Sequence, residues 1–399
     1  MNTKNTCRLL LIVSLVLTMV ACGHKDILPD PIGEPVPYTP DGARSWRTIM
    51  DEPKYSFFKA AWNRSPIETR IKNSNSAYQT LFIPTNDAFT AAGWTMEKIN
   101  ASSEAVLDSL LAFYVVPGLY KPVTLSTPTH RSIPLNTVLR RTTVPGYSTS
   151  QPYIYKLYIG VWKDSMMVNG VPNSKWEENE PAVDGHVYAL SRMVTKPTQL
   201  MIEYIRSQPR FSMLAMAIDS GNARYTGIYN SNSSNYINFL TGGSVIQRGK
   251  ATLFLPTNQA FSNSGYNTKD DISARIRQSW PIAYNYNEPG TNFYKRPRVG
   301  MDSVLMPHGF ALSRNTSENI LFGKDLLQYP ETFSGFMTKI GQSGYEEHFI
   351  LETSFANQNG MLMVRDWRSP AGDWQPIVES DIECLNGVIH VVDGWLMRK

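Results

Sequence analysis

A ten-residue segment that occurs twice constrains the fold of this chain more than any other feature. Residues 80–89 read TLFIPTNDAF and residues 252–261 read TLFLPTNQAF. Each copy predicts a short apolar strand that a proline ends, followed by a polar cap and the first turn of a helix. Thr85 or Asn86 is expected to cap that helix, as is Thr257 in the second copy. The polar residues of the segment are therefore interpreted as structural and not as a ligand site.

The repeat extends well beyond these ten residues. The separation between matching positions grows along the chain, as shown by the pairs Pro53/Pro209 (156 residues), Thr80/Thr252 (172), Leu111/Leu305 (194) and Gly185/Gly387 (202). The second copy therefore carries net insertions of 16, 22 and 8 residues. A repeat of this length predicts a duplicated domain, because a solenoid unit has about 20–45 residues. We assign the first domain to residues 45–197 and the second domain, with its insertions, to residues 198–399.

The repeated segment resembles the first signature of fasciclin-type (FAS1) domains, which is a strand followed by Pro-Thr-Asn-x-Ala-Phe. Residues 386–393, NGVIHVVD, resemble the second signature, and residues 184–188, DGHVY, match it more weakly in the first copy. The Leu-Leu-x-Tyr-His motif that the family usually carries in between is degraded in residues 110–114 and 305–308. The resemblance covers residues 45–399. It implies an α+β fold of two tandem FAS1-like domains, each a wedge of β-sheet with helices packed on it.

The amino terminus has the pattern of a bacterial lipoprotein. Residues 1–21 combine Lys4 and Arg8 with an apolar run that is too short to span a bilayer, which predicts a signal peptide. Ala21 and Cys22 resemble the end of a lipoprotein box and predict that Cys22 carries lipid; an ordinary signal peptide cut near Ala21 is the alternative. Residues 22–44 are rich in proline and predict an extended tether. We expect a membrane partner through the lipid anchor and an outer-membrane location exposed at the cell surface, with a periplasm-facing protein as the alternative.

The composition argues against several classes of function. The net charge is +4 and no run of Lys or Arg occurs, so no nucleic-acid partner is predicted. Cys384 is the one cysteine outside the amino-terminal segment and is expected to be a small buried side chain. The six histidines show no zinc-ligand spacing, and no phosphate-binding or nucleophile motif occurs, so no metal, cofactor or catalytic residue is predicted. His390 is interpreted as a hydrogen-bonded core residue.

Two further segments predict regular structure in the first domain. Residues 104–114 predict a helix with one apolar stripe, formed by Val106, Leu107, Leu110, Leu111 and Tyr114. Residues 153–159 are crowded with tyrosine and predict a strand in a sheet that has one partly wet face.

Aromatic residues in loops of the second domain are the remaining candidates for binding. Tyrosine and tryptophan faces stack on sugar rings and anchor protein interfaces, and neighbouring arginines suit anionic ligands. The alternative is that these side chains pack beneath their own loops. The candidate binding residues are Trp280, Tyr284, Tyr286, Tyr294, Arg296, Arg298, Trp367 and Trp374.

The resemblance implies a non-enzymatic adhesion or binding lipoprotein at the cell surface, with a surface protein or a glycan as its ligand. A second hypothesis is an accessory glycan-binding lipoprotein of an outer-membrane nutrient-uptake system, which the loop tryptophans favour. An enzyme is the third class, and it would need two carboxylates or a histidine converging on a pocket.

Overall fold

The computed structural model describes residues 44–126, 132–145, 147–229, 250–280, 298–299, 309–310, 320–328, 332–340, 346–366 and 373–396. These residues form both helices and sheets, which confirms the predicted α+β class. The predicted signal peptide, Cys22 and residues 23–43 of the tether lie outside the described residues. None of the described helices is both long enough and apolar enough to cross a membrane.

The first domain contains two four-stranded sheets and several short helices, which lie before and after its first strand in the sequence. Its helices are α1 (Trp46–Met50), α2 (Ser56–Asn63), α3 (Ile67–Asn73), α4 (Asn86–Ala91), α5 (Met96–Ala101), α6 (Glu104–Leu111) and α7 (Pro122–Leu125). Its strands are β1 (Gln79–Pro84), β2 (Val115–Pro117), β3 (Ile133–Arg141), β4 (Tyr153–Trp162), β5 (Ser165–Val168), β6 (Val171–Lys175), β7 (Asn179–Ala182) and β8 (Gly185–Leu190). One sheet has the strand order β2-β1-β8-β7 and the other has the order β3-β4-β5-β6.

The second domain repeats this plan around a larger sheet. Its described helices are α8 (Met201–Ser207), α9 (Ser212–Tyr229), α10 (Asn258–Asn263), α11 (Lys269–Arg277) and α12 (Gly323–Gln328). Its described strands are β9 (Ala251–Pro256), β10 (Ser279–Trp280), β11 (Arg298–Val299), β12 (Gly309–Phe310), β13 (Thr332–Ile340), β14 (Glu346–Gln358), β15 (Met361–Asp366), β16 (Gln375–Cys384) and β17 (Gly387–Val392). The large sheet has the order β12-β9-β17-β16-β15-β14-β13.

The repeated segment forms the same strand pair in both domains. Strand β1 runs parallel to β8 with Phe82 opposite Tyr188, and β9 runs parallel to β17 with Phe254 opposite His390. In each pair the two rings stack, with centroids 5.1 Å apart in the first domain and 5.3 Å apart in the second. Strand β1 is buried along its whole length, which explains an apolar run with little alternation. The shared register confirms that the two segments are copies of one structural unit.

The two domains share a hydrophobic core. The largest buried cluster takes residues from both, including Tyr153 and Leu157 of β4 together with Leu385 and Ile389 near β17. The Tyr153 hydroxyl donates a hydrogen bond of 2.9 Å to the Leu385 carbonyl oxygen. The short junction at Lys196 and Pro197 therefore connects domains that pack directly against each other.

A buried ion pair lies where the domains meet. Lys324 Nζ lies 2.9 Å from Asp325 Oδ1, and the two side chains are 5% and 0% exposed. Ser132 of the first domain donates to Asp325 Oδ1 through its backbone nitrogen at 3.1 Å and its hydroxyl at 3.2 Å. The Phe322 nitrogen donates to Oδ2 at 3.0 Å. Both carboxylate oxygens are thus satisfied, which offsets the cost of burying the charge.

Candidate functional site

The threonines of the repeated segment cap helices in both domains. Thr85 Oγ1 accepts a hydrogen bond from the Ala88 nitrogen at 3.3 Å, and Thr257 Oγ1 accepts one from the Ala260 nitrogen at 3.4 Å. Each threonine thereby satisfies one of the free N–H groups at a helix start, as predicted. The Thr257 hydroxyl also donates a hydrogen bond of 2.7 Å to Asp393 Oδ1.

The asparagines that follow connect two elements. Asn86 Oδ1 accepts from the Phe57 nitrogen at 3.0 Å, and its Nδ2 donates to the Pro53 oxygen at 2.8 Å. Asn258 repeats the arrangement, since its Oδ1 accepts from the Met213 nitrogen and its Nδ2 donates to the Pro209 oxygen, both at 3.0 Å. The asparagine thus holds the start of one helix against the turn that precedes another. This tie explains the signature asparagine structurally, although the sequence had suggested a capping role.

His390 and Cys384 are core residues, as the sequence predicts. His390 is fully buried; its Nε2 donates to the Leu321 oxygen at 2.8 Å, and its Nδ1 accepts from the Asp381 nitrogen at 3.4 Å. Burial lowers the pKa of His390 and keeps the ring neutral. Burial likewise raises the pKa of the Cys384 thiol to about 12. Both ring nitrogens are occupied and the thiol stays protonated, so neither residue is placed to react with a substrate.

Most of the predicted aromatic binding residues lie outside the described residues. This holds for Tyr284, Tyr286, Tyr294, Arg296 and Trp367. Trp280 and Arg298 are described by their backbone, which pairs them directly across the antiparallel strands β10 and β11. The structure therefore brings these two predicted residues to neighbouring positions. Their role in binding stays a prediction.

Trp374 is the predicted binding residue whose side chain is described. It is half-buried beside the start of β16, and the Arg365 guanidinium carbon lies 4.8 Å from its ring centre. This distance is within the range of a cation–π contact. The pair provides an aromatic face beside a cation, the combination that the sequence analysis associated with sugar or anionic ligands.

A cleft of about 300 Å³ opens in the first domain beside the junction between the domains. Its lining comes from α3, α6, β3, β4 and the linker, and consists of Arg70, Ala105, Asp108, Ser109, Leu139, Arg140, Arg141, Tyr155, Lys196 and Thr198. Leu139 and Tyr155 are buried and form an apolar floor, while Arg140, Arg141 and Thr198 are exposed. The volume is at the lower end of the range for small-ligand pockets, which is about 300–1,000 Å³.

The cleft carries an excess of positive charge. Four of its side chains are cations and one is a carboxylate, which leaves a net charge of +3. Asp108 is buried beneath Arg70, whose Nε and Nη2 both bind its Oδ2, at 2.7 and 2.6 Å. The carboxylate therefore orients Arg70, and the surface offered to a ligand is cationic. Burial and the nearby charge of Arg141 lower the pKa of Lys196, whose ammonium donates to the Ser109 hydroxyl.

The sequence analysis missed this cleft because no local pattern marks it. Its cations come from a helix, a strand and the interdomain linker, which lie far apart in the sequence. The adjacent arginines Arg140 and Arg141 were the available signal, and a register irregularity in β3 precedes them. Adjacent residues of a regular strand point to opposite faces. Both nevertheless line the cleft, so a sequence pattern based on alternation does not predict their convergence.

One protein family matches part of the first domain. Residues 53–196 match the family model described as the fasciclin domain. This part of the chain, within the first domain, is similar to a fasciclin domain. The second half repeats the signature segment and the parallel strand pair of the first half in the same register, so it is a copy of the same structural unit.

Similarity to individual proteins is weaker. The chain resembles the solved structure of a FAS1 domain pair from the insect cell adhesion molecule fasciclin I, with 14% sequence identity and a TM-score of 0.30. That match covers 86% of this chain and 96% of the other. No curated protein matches the sequence significantly. Within the described residues, no group of His, Cys, Asp and Glu side chains is arranged to hold a metal ion.

Proposed function

We propose that this protein is a lipid-anchored, non-enzymatic binding protein that acts in adhesion at the cell surface. The observation that supports this most directly is the fasciclin domain at residues 53–196, since such domains are typically adhesion or binding modules. The shared core adds a physical argument, because two domains packed as one body transmit a load better than domains joined by a free linker. Cys22 supplies the anchor in this proposal, and residues 23–44 hold the domains away from the bilayer.

The anchor is tested by replacing the lipidated residue. Cys22→Ser removes the acylation site and should move the protein from the membrane fraction to the soluble fraction. Protease treatment of intact cells then reports the side of the membrane that the unmodified protein faces. A Cys22→Ser protein that remains in the membrane fraction would contradict lipid anchoring.

Adhesion is tested separately with intact cells. Cells that carry the protein should bind to arrays of matrix proteins and glycans more strongly than cells that lack it, and Cys22→Ser cells should resemble the latter. Equal retention of all three strains on every surface would contradict the adhesive function.

A second candidate function is glycan capture for an outer-membrane uptake system. The cationic cleft favours it, because a pocket with an apolar floor and exposed arginines suits a charged sugar. The two functions predict different phenotypes. A capture protein should be needed for growth on one polysaccharide and dispensable for attachment, whereas an adhesion protein should show the reverse.

A further inference from the structure

We propose that the cleft lined by Arg70, Arg140, Arg141 and Lys196 binds a uronic acid unit of an acidic polysaccharide. This inference rests on the proposed binding function and specifies its ligand chemistry. The four cationic residues surround a volume of about 300 Å³, enough for one small unit at a time.

The cleft carries positive charge that is not compensated. Arg140 has no ion-pair partner among the residues that the structure describes, and the Arg141 Nε donates to the neutral Thr143 hydroxyl at 2.8 Å. Asp108 binds Arg70 through Oδ2 and is buried beneath it, while its Oδ1 has no hydrogen-bond partner among the described residues. The mutual repulsion of these cations would be relieved by an anionic group, and arginine forks match the two oxygens of a carboxylate.

The lining of the cleft combines apolar, hydroxyl and charged groups. Leu139 and Tyr155 form an apolar floor, and Ser109 and Thr198 add hydroxyls. A bare phosphate or sulfate has no apolar face to place on that floor. A sugar acid has one, and it carries hydroxyls around the ring as well as the carboxylate. The lining therefore matches three features of a uronic acid.

The cleft is open to solvent at its rim. Arg140, Arg141 and Thr198 are exposed at the rim while the floor is buried. A chain that continues beyond the bound unit can leave across this rim. The cleft is thus suited to a unit within a polymer as well as to a free monosaccharide.

The test measures binding of trigalacturonate to the full chain purified in detergent micelles, by isothermal titration calorimetry. We expect binding at low salt that weakens as the salt concentration rises, because the contact is between charges. Galactotriose, which has the same ring without the carboxylate, should bind at least tenfold more weakly.

The matched variants locate the site. Arg140→Gln/Arg141→Gln should weaken trigalacturonate binding at least tenfold. Arg192→Gln/Arg224→Gln removes the same charge from exposed arginines outside the cleft and should leave binding unchanged. Circular dichroism and the unfolding midpoint check that each variant is folded. Equal losses in both double variants would overturn the assignment to the cleft, as would unchanged binding in the first.

Competition separates the ligand classes. Inorganic phosphate that displaces trigalacturonate at an equal concentration would show a simple anion site, and a glutamate-rich peptide that displaces it more strongly would show a peptide site. Either outcome overturns the uronic acid proposal. Neither depends on the anchor or on adhesion of cells, so the proposed function can stand while this inference fails, and the reverse also holds.

Discussion

Phe254 contributes to stability through its contacts with two neighbouring rings. It is 1% exposed, and its ring centroid lies 5.3 Å from His390 and 5.5 Å from Phe355. Phe254→Ala leaves a cavity in a packed layer and should lower the free energy of unfolding by about 3–5 kcal/mol. Thr257→Ala removes a helix cap and should cost about 1 kcal/mol. Urea unfolding of both variants checks the order, and a larger loss for Thr257→Ala would show that its hydrogen bonds matter more than the buried ring.

Glu383 makes stability depend on pH. Its carboxylate accepts from Asn169 Nδ2 at 2.7 Å, and burial raises its pKa to about 7, although the charge of Lys250 opposes this shift. Between the ordinary pKa of glutamate and about 7, the folded protein holds a proton that the unfolded chain has released. Stability therefore falls as the pH rises through this window.

Glu383→Gln should remove this pH dependence. The neutral amide cannot ionise, so the variant should gain stability relative to the unmodified protein as the pH rises from 5 to 8, by at most about 3 kcal/mol. The pKa of His390 is lowered, so the protein also loses stability as the pH falls below the ordinary pKa of histidine. His390 is present in both proteins, so its contribution cancels when their stabilities are subtracted. Unfolding midpoints at several pH values provide the measurement. A difference that does not vary with pH would contradict the prediction.

At the scale of elements, Asn258 joins α10 to the turn that precedes α9. It makes three side-chain hydrogen bonds, to the Met213 nitrogen, the Pro209 oxygen and the Ser212 hydroxyl, each of 3.0 Å. Because part of this network is solvent-exposed, Asn258→Ala should cost about 1–2 kcal/mol. Gln259→Ala is the control, since Gln259 is exposed and bonds to Asn263 within the same helix. Urea unfolding that shows equal losses for the two variants would contradict the role assigned to Asn258.

The first strand of each domain was predictable and the helix faces were less so. The repeated segment specified β1 and β9 because a buried parallel strand needs an apolar run on both faces. Helix α6 shows the limit, since Val106 was predicted on its buried stripe but is 50% exposed. Asp108 is buried in the same helix instead, held by Arg70. A long-range ion pair of this kind reverses the expected order of burial, and periodicity alone does not reveal it.

At the scale of the whole molecule, the sequence predicted the duplication but did not predict the contact between the two copies. Strand β4 was expected to have one partly wet face. Tyr158 on that strand is nevertheless 2% exposed, because Phe322 of the second domain covers it at a ring distance of 5.4 Å. The partner of such a face lies more than a hundred residues away in the sequence, so no local pattern identifies it. The cationic cleft escaped prediction for the same reason.

The shared core predicts that the two domains unfold together. Phe322 belongs to the second domain, is fully buried, and packs on Tyr158 of the first. Phe322→Ala should therefore lower the protection of backbone amides in β4 as well as in β9, in native-state hydrogen exchange. Val378→Ala, at an exposed position of the second domain, is the control and should change neither strand. If Phe322→Ala lowers protection in β9 while β4 keeps its full protection, the domains are energetically independent, and the contact at Tyr158 adds nothing to the stability of the first.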